Sequence, residues 1–148
     1  MVETVRKRDV WEVFTEIETA KTRKKKLETL KKYENEMHVR DVLQGTFDDR
    51  IQWNLPLGTP PYTPGSDDAP PQASLMKLHL RFKYFIKGLR ACEELPAIKR
   101  ERMFIDILET VHPKDAQILV SMVNKTKPEF DGLTKKLVQE ALPDLIPE

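Results

Sequence analysis

The sequence has few of the features that point directly to a function. Cys92 is the single cysteine among 148 residues, so an intramolecular disulfide is excluded. Three histidines, His38, His79 and His112, are too scattered for metal-ligand spacing. No apolar run reaches the ~20 residues that cross a bilayer. We therefore expect a soluble protein of a reducing cytoplasm, with no metal and no membrane partner.

Catalytic motifs and a strong charge imbalance are also missing. There is no Gly-rich phosphate loop, no G-x-S-x-G turn and no suggestive Cys-His or Ser-His grouping. Asp48 and Asp49 are consecutive, which is typical of a turn rather than of an acid–base pair. The formal net charge is +1, so any electrostatic binding site must be local. We expect no enzymatic activity and no cofactor.

Helical periodicity is the dominant positive signal. Hydrophobic residues make up 39% of the chain and charged residues 33%, which fits a globular protein with a charged surface. Apolar positions recur at helical spacing in both halves, and no strand pattern competes with them. The length suits one core. The sequence predicts a single all-α domain over residues 1–148, with about seven helices and one long Pro-rich loop.

Three helices are predicted in the first half. One begins after Asp9, Thr22 caps the second, and Gly45 ends the third. Their predicted buried residues are Val10, Phe14, Ile17, Leu27, Leu30, Tyr33, Val39, Val42 and Leu43.

Four helices are predicted in the second half. The first spans residues 75–89, Pro96 and Pro113 each open another, and the last begins near Leu133. Cys92 is predicted to be a small buried hydrophobe. The predicted inner faces comprise Leu75, Leu78, Phe82, Phe85, Ile86, Leu89, Ile98, Met103, Phe104, Ile107, Leu108, Val111, Ile118, Leu119, Met122, Val123, Leu137, Val138, Ala141 and Leu142.

Residues 56–72, "PLGTPPYTPGSDDAPPQ", hold most of the prolines and are predicted to form a loop. One interpretation is a long surface connection packed through Leu57 and Tyr62. The other is a protein-interaction loop that serves as ligand for an aromatic groove. The candidate contacts for that second role are Pro60, Pro61, Tyr62 and Pro64.

Basic clusters are the best candidates for a binding site. The first is "KTRKKKLETLKK", in which seven cations face the single acid Glu28. A solvated helix face is the alternative interpretation of such a run. Its candidate contacts are Arg23, Lys24, Lys25, Lys26, Lys31 and Lys32.

A second cluster, Lys99, Arg100 and Arg102, occupies the first turns of a predicted helix. Cations at a helix N-terminus oppose the macrodipole, whereas free N–H groups beside cations suit an anion such as phosphate.

The third cluster has the same arrangement. Gly132 allows a turn, Thr134 offers a hydroxyl, and Lys135 and Lys136 add charge to the first helical turn. A nucleic-acid backbone would explain both helix starts.

Four segments in order, "VFTEIETAKTRKKKLETLKKY", "VLQGTFDDRIQW", "AIKRERMFIDIL" and "GLTKKLVQEALPDLIPE", resemble the N-terminal DNA-binding domain of ATP-dependent DNA ligases, especially the T-even phage type. The chain also resembles small proteins of T-even-like phages, including cyanophages, that carry a similar "LPLGTPPYTP" segment. The resemblance implies an all-α fold that grips duplex DNA through phosphates and sugars. By position, it gives DNA-backbone roles to Lys99, Arg100, Arg102, Gly132, Thr134, Lys135 and Lys136.

The sequence also departs from that family. In a ligase the domain leads into a nucleotidyltransferase domain, whose Lys-x-Asp-Gly lysine takes the AMP, and here the chain ends first. The one Asp-Gly lies in "EFDG", where Glu129 stands at the position of the lysine. Adenylation is therefore not expected. The long Pro-rich loop is a second departure.

Two functions follow as hypotheses. The first is a non-catalytic, phage-encoded module that binds double-stranded DNA without sequence specificity. The second is a protein-interaction module that kept the fold but lost DNA binding. It would act as an adaptor or modulator of replication, transcription or host machinery, or as a virion component. In either case we expect the cytoplasm of the infected bacterial host, or the virion, as the location.

Overall fold

The computed structural model describes residues 8–147 and has an all-α architecture there. The described part has eight α-helices and one 3₁₀ segment, compared with the predicted seven or so helices. In order they are α1 (Val10–Thr19), α2 (Arg23–Lys32), α3 (Met37–Phe47), α4 (Leu75–Leu78), the 3₁₀ segment (His79–Tyr84), α5 (Arg90–Glu93), α6 (Ala97–Thr110), α7 (Pro113–Val123) and α8 (Lys135–Ala141).

Local capping signals set the starts of three helices as predicted. Asp9 precedes α1, and its backbone N–H donates to the Glu12 carboxylate at 3.2 Å. The Thr22 hydroxyl oxygen accepts the backbone N–H of Lys25 at 3.2 Å at the start of α2. Pro113 is the first residue of α7. Each of these signals depends on neighbours in sequence, which is why sequence alone could find them.

One continuous hydrophobic core joins the helices. α3 and α6 both pack against α7, α1 packs against α2 and α3, and α2 packs against α8. Cys92 is buried, as predicted. The largest fully buried side chains are Phe14, Phe85, Ile17, Leu30, Leu43, Leu75, Ile107, Leu108, Leu119, Met122, Leu133 and Leu137.

Gly45 does not end α3, contrary to the prediction, because the helix continues to Phe47. A Cβ at Gly45 would lie 2.5 Å from Trp53 Cζ2 and 2.8 Å from Met122 Sδ. The Trp53 indole N–H donates to the Gly45 carbonyl at 3.0 Å. This glycine therefore provides space for a tryptophan ring rather than a helix stop.

The single helix predicted over residues 75–89 is also wrong. Only one turn of α4 forms before the chain tightens into the 3₁₀ segment. Residues 85–87 then pair with 52–54 through backbone hydrogen bonds of 2.6 and 2.8 Å, and Gly88 takes a φ of +90°. This pairing with a distant segment uses the backbone groups that a helix would need, and Leu89 is left 43% exposed.

Ile98 was predicted to lie on the inner face of α6, but it is 75% exposed. The buried side of this helix carries Phe104, Ile107 and Leu108. At 100° per residue, Ile98 lies roughly 120–140° around the helix from the centre of that stripe. It therefore belongs to the solvent face, even though it is apolar.

The Pro-rich segment 56–72 has no helix or strand, as predicted, and is fastened to the helices. The Gly58 N–H donates to Asn124 Oδ1 at 2.7 Å, and Asn124 Nδ2 donates to the Gly58 carbonyl at 3.0 Å. Further along, the Thr63 N–H donates to Glu109 Oε2 at 2.7 Å. These contacts make the segment a packed surface connection.

The two apolar side chains predicted to pack this loop behave differently. Tyr62 is partly buried against the core, and this burial raises the pKa of its phenol. Leu57 is 87% exposed, so the prediction was wrong for this residue.

No helix within residues 8–147 is long and apolar enough to span a membrane. The same residues contain no group of three or more His, Cys, Asp or Glu side chains placed to hold a metal ion.

Candidate nucleic-acid interface

The packing of α2 against α8 brings together two basic clusters that are far apart in sequence. Gly132 has a φ of +81°, and a Cβ there would lie 2.6 Å from Lys26 Cε, so the lysine stem covers this glycine. Arg23 and Glu140 form an ion pair of 2.5 Å between the two helices. On α8, Lys136 lies one turn before Glu140. The first and third clusters therefore adjoin on one surface.

Lys26 is used by the fold rather than presented to solvent. Its Nζ donates to the Ile17 carbonyl at 2.9 Å and to the Glu18 carbonyl at 3.0 Å. These carbonyls lie in the last turn of α1, where helical carbonyls lack partners within the helix. Lys26 is therefore a cap for α1, and we remove it from the predicted DNA contacts.

Two other cations of α2 are in exposed ion pairs. Arg23 is paired with Glu140, and Lys32 with Glu16. The hydrogen bond that Lys32 donates to the Glu16 carboxylate raises the pKa of the Lys32 amine. Both cations are about half exposed, and such pairs contribute about 0–1 kcal/mol. An anion such as phosphate could therefore replace either carboxylate partner with little loss of folding free energy.

Lys24, Lys25 and Lys31 are exposed, and their amines have no acceptor among residues 8–147. Lys24 and Lys31 are seven residues apart and so share a face of α2, with about 10.5 Å between them along the axis. Glu28 lies on that face between them and lowers the local positive potential.

The start of α8 differs from the prediction. The helix begins at Lys135, and the Thr134 hydroxyl oxygen accepts the Leu137 N–H at 3.2 Å. The hydroxyl expected to face a phosphate thus caps the helix. Lys135 Nζ lies 3.2 Å from Asp49 Oδ2. Lys136 is exposed and has no acceptor in the described part of the chain.

We call this area the α2–α8 basic surface. Its unpaired members are Lys24, Lys25, Lys31 and Lys136, and its ion-paired members are Arg23, Lys32 and Lys135.

Arg100, the central residue of the second cluster, is inside the protein with 9% exposure. Its Nε donates to the Asn54 carbonyl at 2.8 Å, and its Nη1 donates to the carbonyls of Leu95 at 2.9 Å and Cys92 at 3.3 Å. These bonds hold the segment around Asn54, α5 and the turn after α5 against α6. We therefore remove Arg100 from the predicted phosphate contacts.

Lys99 and Arg102 are exposed on either side of Arg100, and neither has a side-chain partner within residues 8–147. The helix that carries them, α6, packs mainly against α7 rather than against α2 or α8. The second cluster is therefore not joined to the α2–α8 basic surface in the way that the first and third are joined to each other.

The carboxylates near Lys135 form ion pairs with cations of the protein itself. Arg50 binds Asp48 through Nε at 3.0 Å and Nη2 at 2.7 Å, and these hydrogen bonds lower the pKa of Asp48 to about 2. Lys125 Nζ donates to the Asp48 carbonyl at 2.8 Å. Asp49 is paired with Lys135. From the sequence, the two aspartates were predicted only to form a turn.

A buried acid at the junction of α1 and α7 was missed altogether. Asp115 accepts the Trp11 backbone N–H at 2.8 Å, and burial raises its pKa to about 7. The Trp11 ring stacks on His112 with centroids 4.5 Å apart. The available signal was the position of Asp115 in the first turn of α7, where acidic residues favour a helix start.

A family model, described as a family of unknown function, matches residues 13–128. The chain belongs to this family, DUF6433. No curated protein and no solved structure matches the chain. Most of the helices described above, including α2, and also Arg100 lie within the matched range. The cluster at 132–136 lies beyond it.

Proposed function

We propose that this DUF6433 protein is a non-catalytic module that binds duplex DNA through the sugar–phosphate backbone. The observation that carries the proposal is the packing of α2 on α8, which adds Lys136 to the exposed lysines of α2. Positive side chains gathered on one surface gain affinity by releasing counterions from DNA. On the resemblance to phage ligase domains, we expect the module to act in the cytoplasm of an infected bacterial host.

Binding would begin at the unpaired lysines. Lys24, Lys25 and Lys31 have exposed amines that can bind phosphate oxygens, and Lys136 adds a fourth from the helix packed against α2. The ion-paired cations of the surface would then exchange carboxylates for phosphates, because exposed pairs are weak.

The surface suits backbone contact rather than sequence reading. Its unpaired cations are lysines, which act as point charges and lack the planar fork of arginine that recognises guanine edges. The net charge of the chain is +1, so the protein as a whole supplies little long-range attraction. We therefore expect a Kd on the order of 10⁻⁴ to 10⁻⁶ M, the range of non-specific binding.

Fluorescence anisotropy with short labelled duplexes of unrelated sequence would test the proposal. The test variant carries Lys24→Glu, Lys25→Glu and Lys31→Glu. A matched control carries Lys77→Glu, Lys87→Glu and Lys127→Glu, which reverses the same charge at exposed positions outside the surface. We expect the test variant to lose affinity about tenfold or more and to have a shallower salt dependence, because phosphate contacts set that slope.

Two results would contradict the proposal. One is an absence of binding by the unmodified protein at low salt. The other is an equal loss in both triple variants, which would mean that overall charge alone controls the association.

A further inference from the structure

The Pro-rich loop and α6 enclose a groove of about 320 Å³ that is distinct from the basic surface. Leu55, Pro56 and Pro60 line it from the loop, and Phe104 and Ile105 line it from the helix. This volume falls at the lower end of the range for ligand sites in proteins, roughly 300–1,000 Å³. The groove is large enough for one or two apolar side chains.

Two large apolar side chains flank this groove in solvent. Leu57, which lines it, is 87% exposed, and Ile98, one turn before Glu101 on α6, is 75% exposed. Single exposed apolar residues are ordinary, but two beside an apolar groove form a patch that typically marks an interaction site. A DNA backbone would gain nothing by covering them.

The groove is already formed in the free protein. The Asn124 amide holds both the N–H and the carbonyl of Gly58, which closes one end of the loop against α7. The Thr63 N–H bond to Glu109 fixes the loop again beyond the groove. A partner would therefore not have to order this loop when it binds, which favours affinity.

Charge beside the groove indicates what the partner must carry. Arg102 lies one turn after Ile98 and Lys99 directly follows it, and both cations are exposed without a partner in residues 8–147. Glu101 lines the groove itself, so it would repel a carboxylate placed inside and would accept an N–H group instead. Acidic groups of a partner therefore belong on the Arg102 side.

We propose that this groove docks a short acidic peptide segment of another protein. An apolar side chain of the segment enters the groove beside Leu57, and its flanking carboxylates pair with Lys99 and Arg102. This site is independent of the α2–α8 basic surface and gives the second basic cluster a role of its own.

The first experiment is a titration followed by ¹⁵N–¹H correlation spectra of the labelled full chain. The probe is the acetylated hexapeptide Glu-Asp-Leu-Phe-Asp-Glu, and the matched probe is Lys-Arg-Leu-Phe-Arg-Lys. We expect saturable shifts in residues 55–61 and 97–105 with the acidic peptide and none with the basic one.

Two pairs of variants then test the named side chains. Leu57→Ser and Arg102→Glu alter the groove, and Leu80→Ser and Arg81→Glu make the same changes at exposed positions elsewhere. All four side chains are exposed, and circular dichroism would confirm that each variant is folded. We expect each groove variant to weaken peptide binding by about fivefold or more, and each control to leave it unchanged.

Several results would overturn the proposal. They are an absence of saturable shifts, equal binding of the two peptides, or equal losses in groove and control variants. Self-association of the chain that disappears in Leu57→Ser would assign the groove to a second copy. Shifts of residues 97–105 caused by duplex DNA would assign it to nucleic acid.

Discussion

α2 and the first turns of α6 are both rich in cations, but the fold uses them differently. On α2 most of the cations point to solvent, and Lys26 alone caps another helix with its amine. On α6 the central cation, Arg100, is buried and donates to three backbone carbonyls, whereas Lys99 and Arg102 are exposed. A run of positive charge in the sequence therefore does not by itself produce an exposed basic surface in the folded protein.

Helical phase explains the difference. Arg100 precedes Phe104, Ile107 and Leu108 by four, seven and eight residues, which puts it in line with the apolar stripe of α6. Lys24 and Lys31 lie roughly 100–120° around α2 from Leu30, which is buried, and both side chains are exposed. A cation in the apolar stripe needs internal acceptors, whereas a cation outside the stripe is left for solvent or a ligand.

The largest expected effect is on stability at Arg100. Arg100→Met would remove hydrogen bonds to three carbonyls, and we expect the free energy of unfolding to fall by about 3 kcal/mol. The matched change Arg102→Met should stay within about 0.5 kcal/mol, as for most surface substitutions. Urea denaturation measures both. Similar losses in the two variants would contradict the division between inner and outer cations.

The next effect is at Lys26. Lys26→Met keeps the aliphatic cover over Gly132 but removes the donor to the end of α1, so we expect a loss of about 1 kcal/mol. Lys24→Met should leave stability unchanged and weaken DNA binding. Thermal denaturation and DNA titration of both variants would test this. If Lys26→Met weakened DNA binding by a larger free energy than it lowered the free energy of unfolding, Lys26 would be a DNA contact rather than the cap of α1.

Asp115 is a buried acid, and its effect on stability should depend on pH. Its folded-state pKa of about 7 lies above the ordinary value of 3.8, so the folded state binds the proton more tightly than the unfolded state. Stability from this group should rise by about 1 kcal/mol as the pH falls from about 8 to about 6. The isosteric Asp115→Asn variant should lack that increment. An identical pH dependence of stability in both proteins would contradict this account.

The smallest expected effect concerns Lys99 and Arg102. The double variant Lys99→Ala, Arg102→Ala should change the affinity for duplex DNA by less than about twofold, because these side chains are outside the α2–α8 basic surface. Anisotropy titration at low salt provides the test. A loss as large as that of the α2 triple variant would mean that all three basic clusters act together.

Much of the fold could be predicted because its signals are local. Thr22 and Pro113 set helix starts through contacts a few residues away, and the apolar stripes of most helices gave the core. The single helix predicted over residues 75–89 was wrong because residues 52–54, which are distant in sequence, form backbone hydrogen bonds with residues 85–87. The role of Gly45 was missed for a similar reason, since the tryptophan ring that it admits comes from the segment after α3 and reaches the glycine only through tertiary packing.

The candidate site was predicted less completely. The sequence identified the cations of α2 and the cluster at 132–136, but only the packing of α2 on α8 joins them. Arg100 could have been excluded from its spacing to Phe104, whereas its acceptors at residues 54, 92 and 95 belong to segments outside α6 whose positions depend on the whole fold. The groove beside Leu57 could not be predicted either, because it forms only where the Pro-rich loop packs against α6.

The most direct test of the central claim is to map the contact of duplex DNA on the ¹⁵N-labelled protein by amide chemical shifts at low salt. We predict saturable shifts in α2 and in residues 132–136, and their loss as salt is raised. The amides of residues 97–102 should not move. Shifts centred on 97–102, or no shifts at all at low salt, would contradict the account.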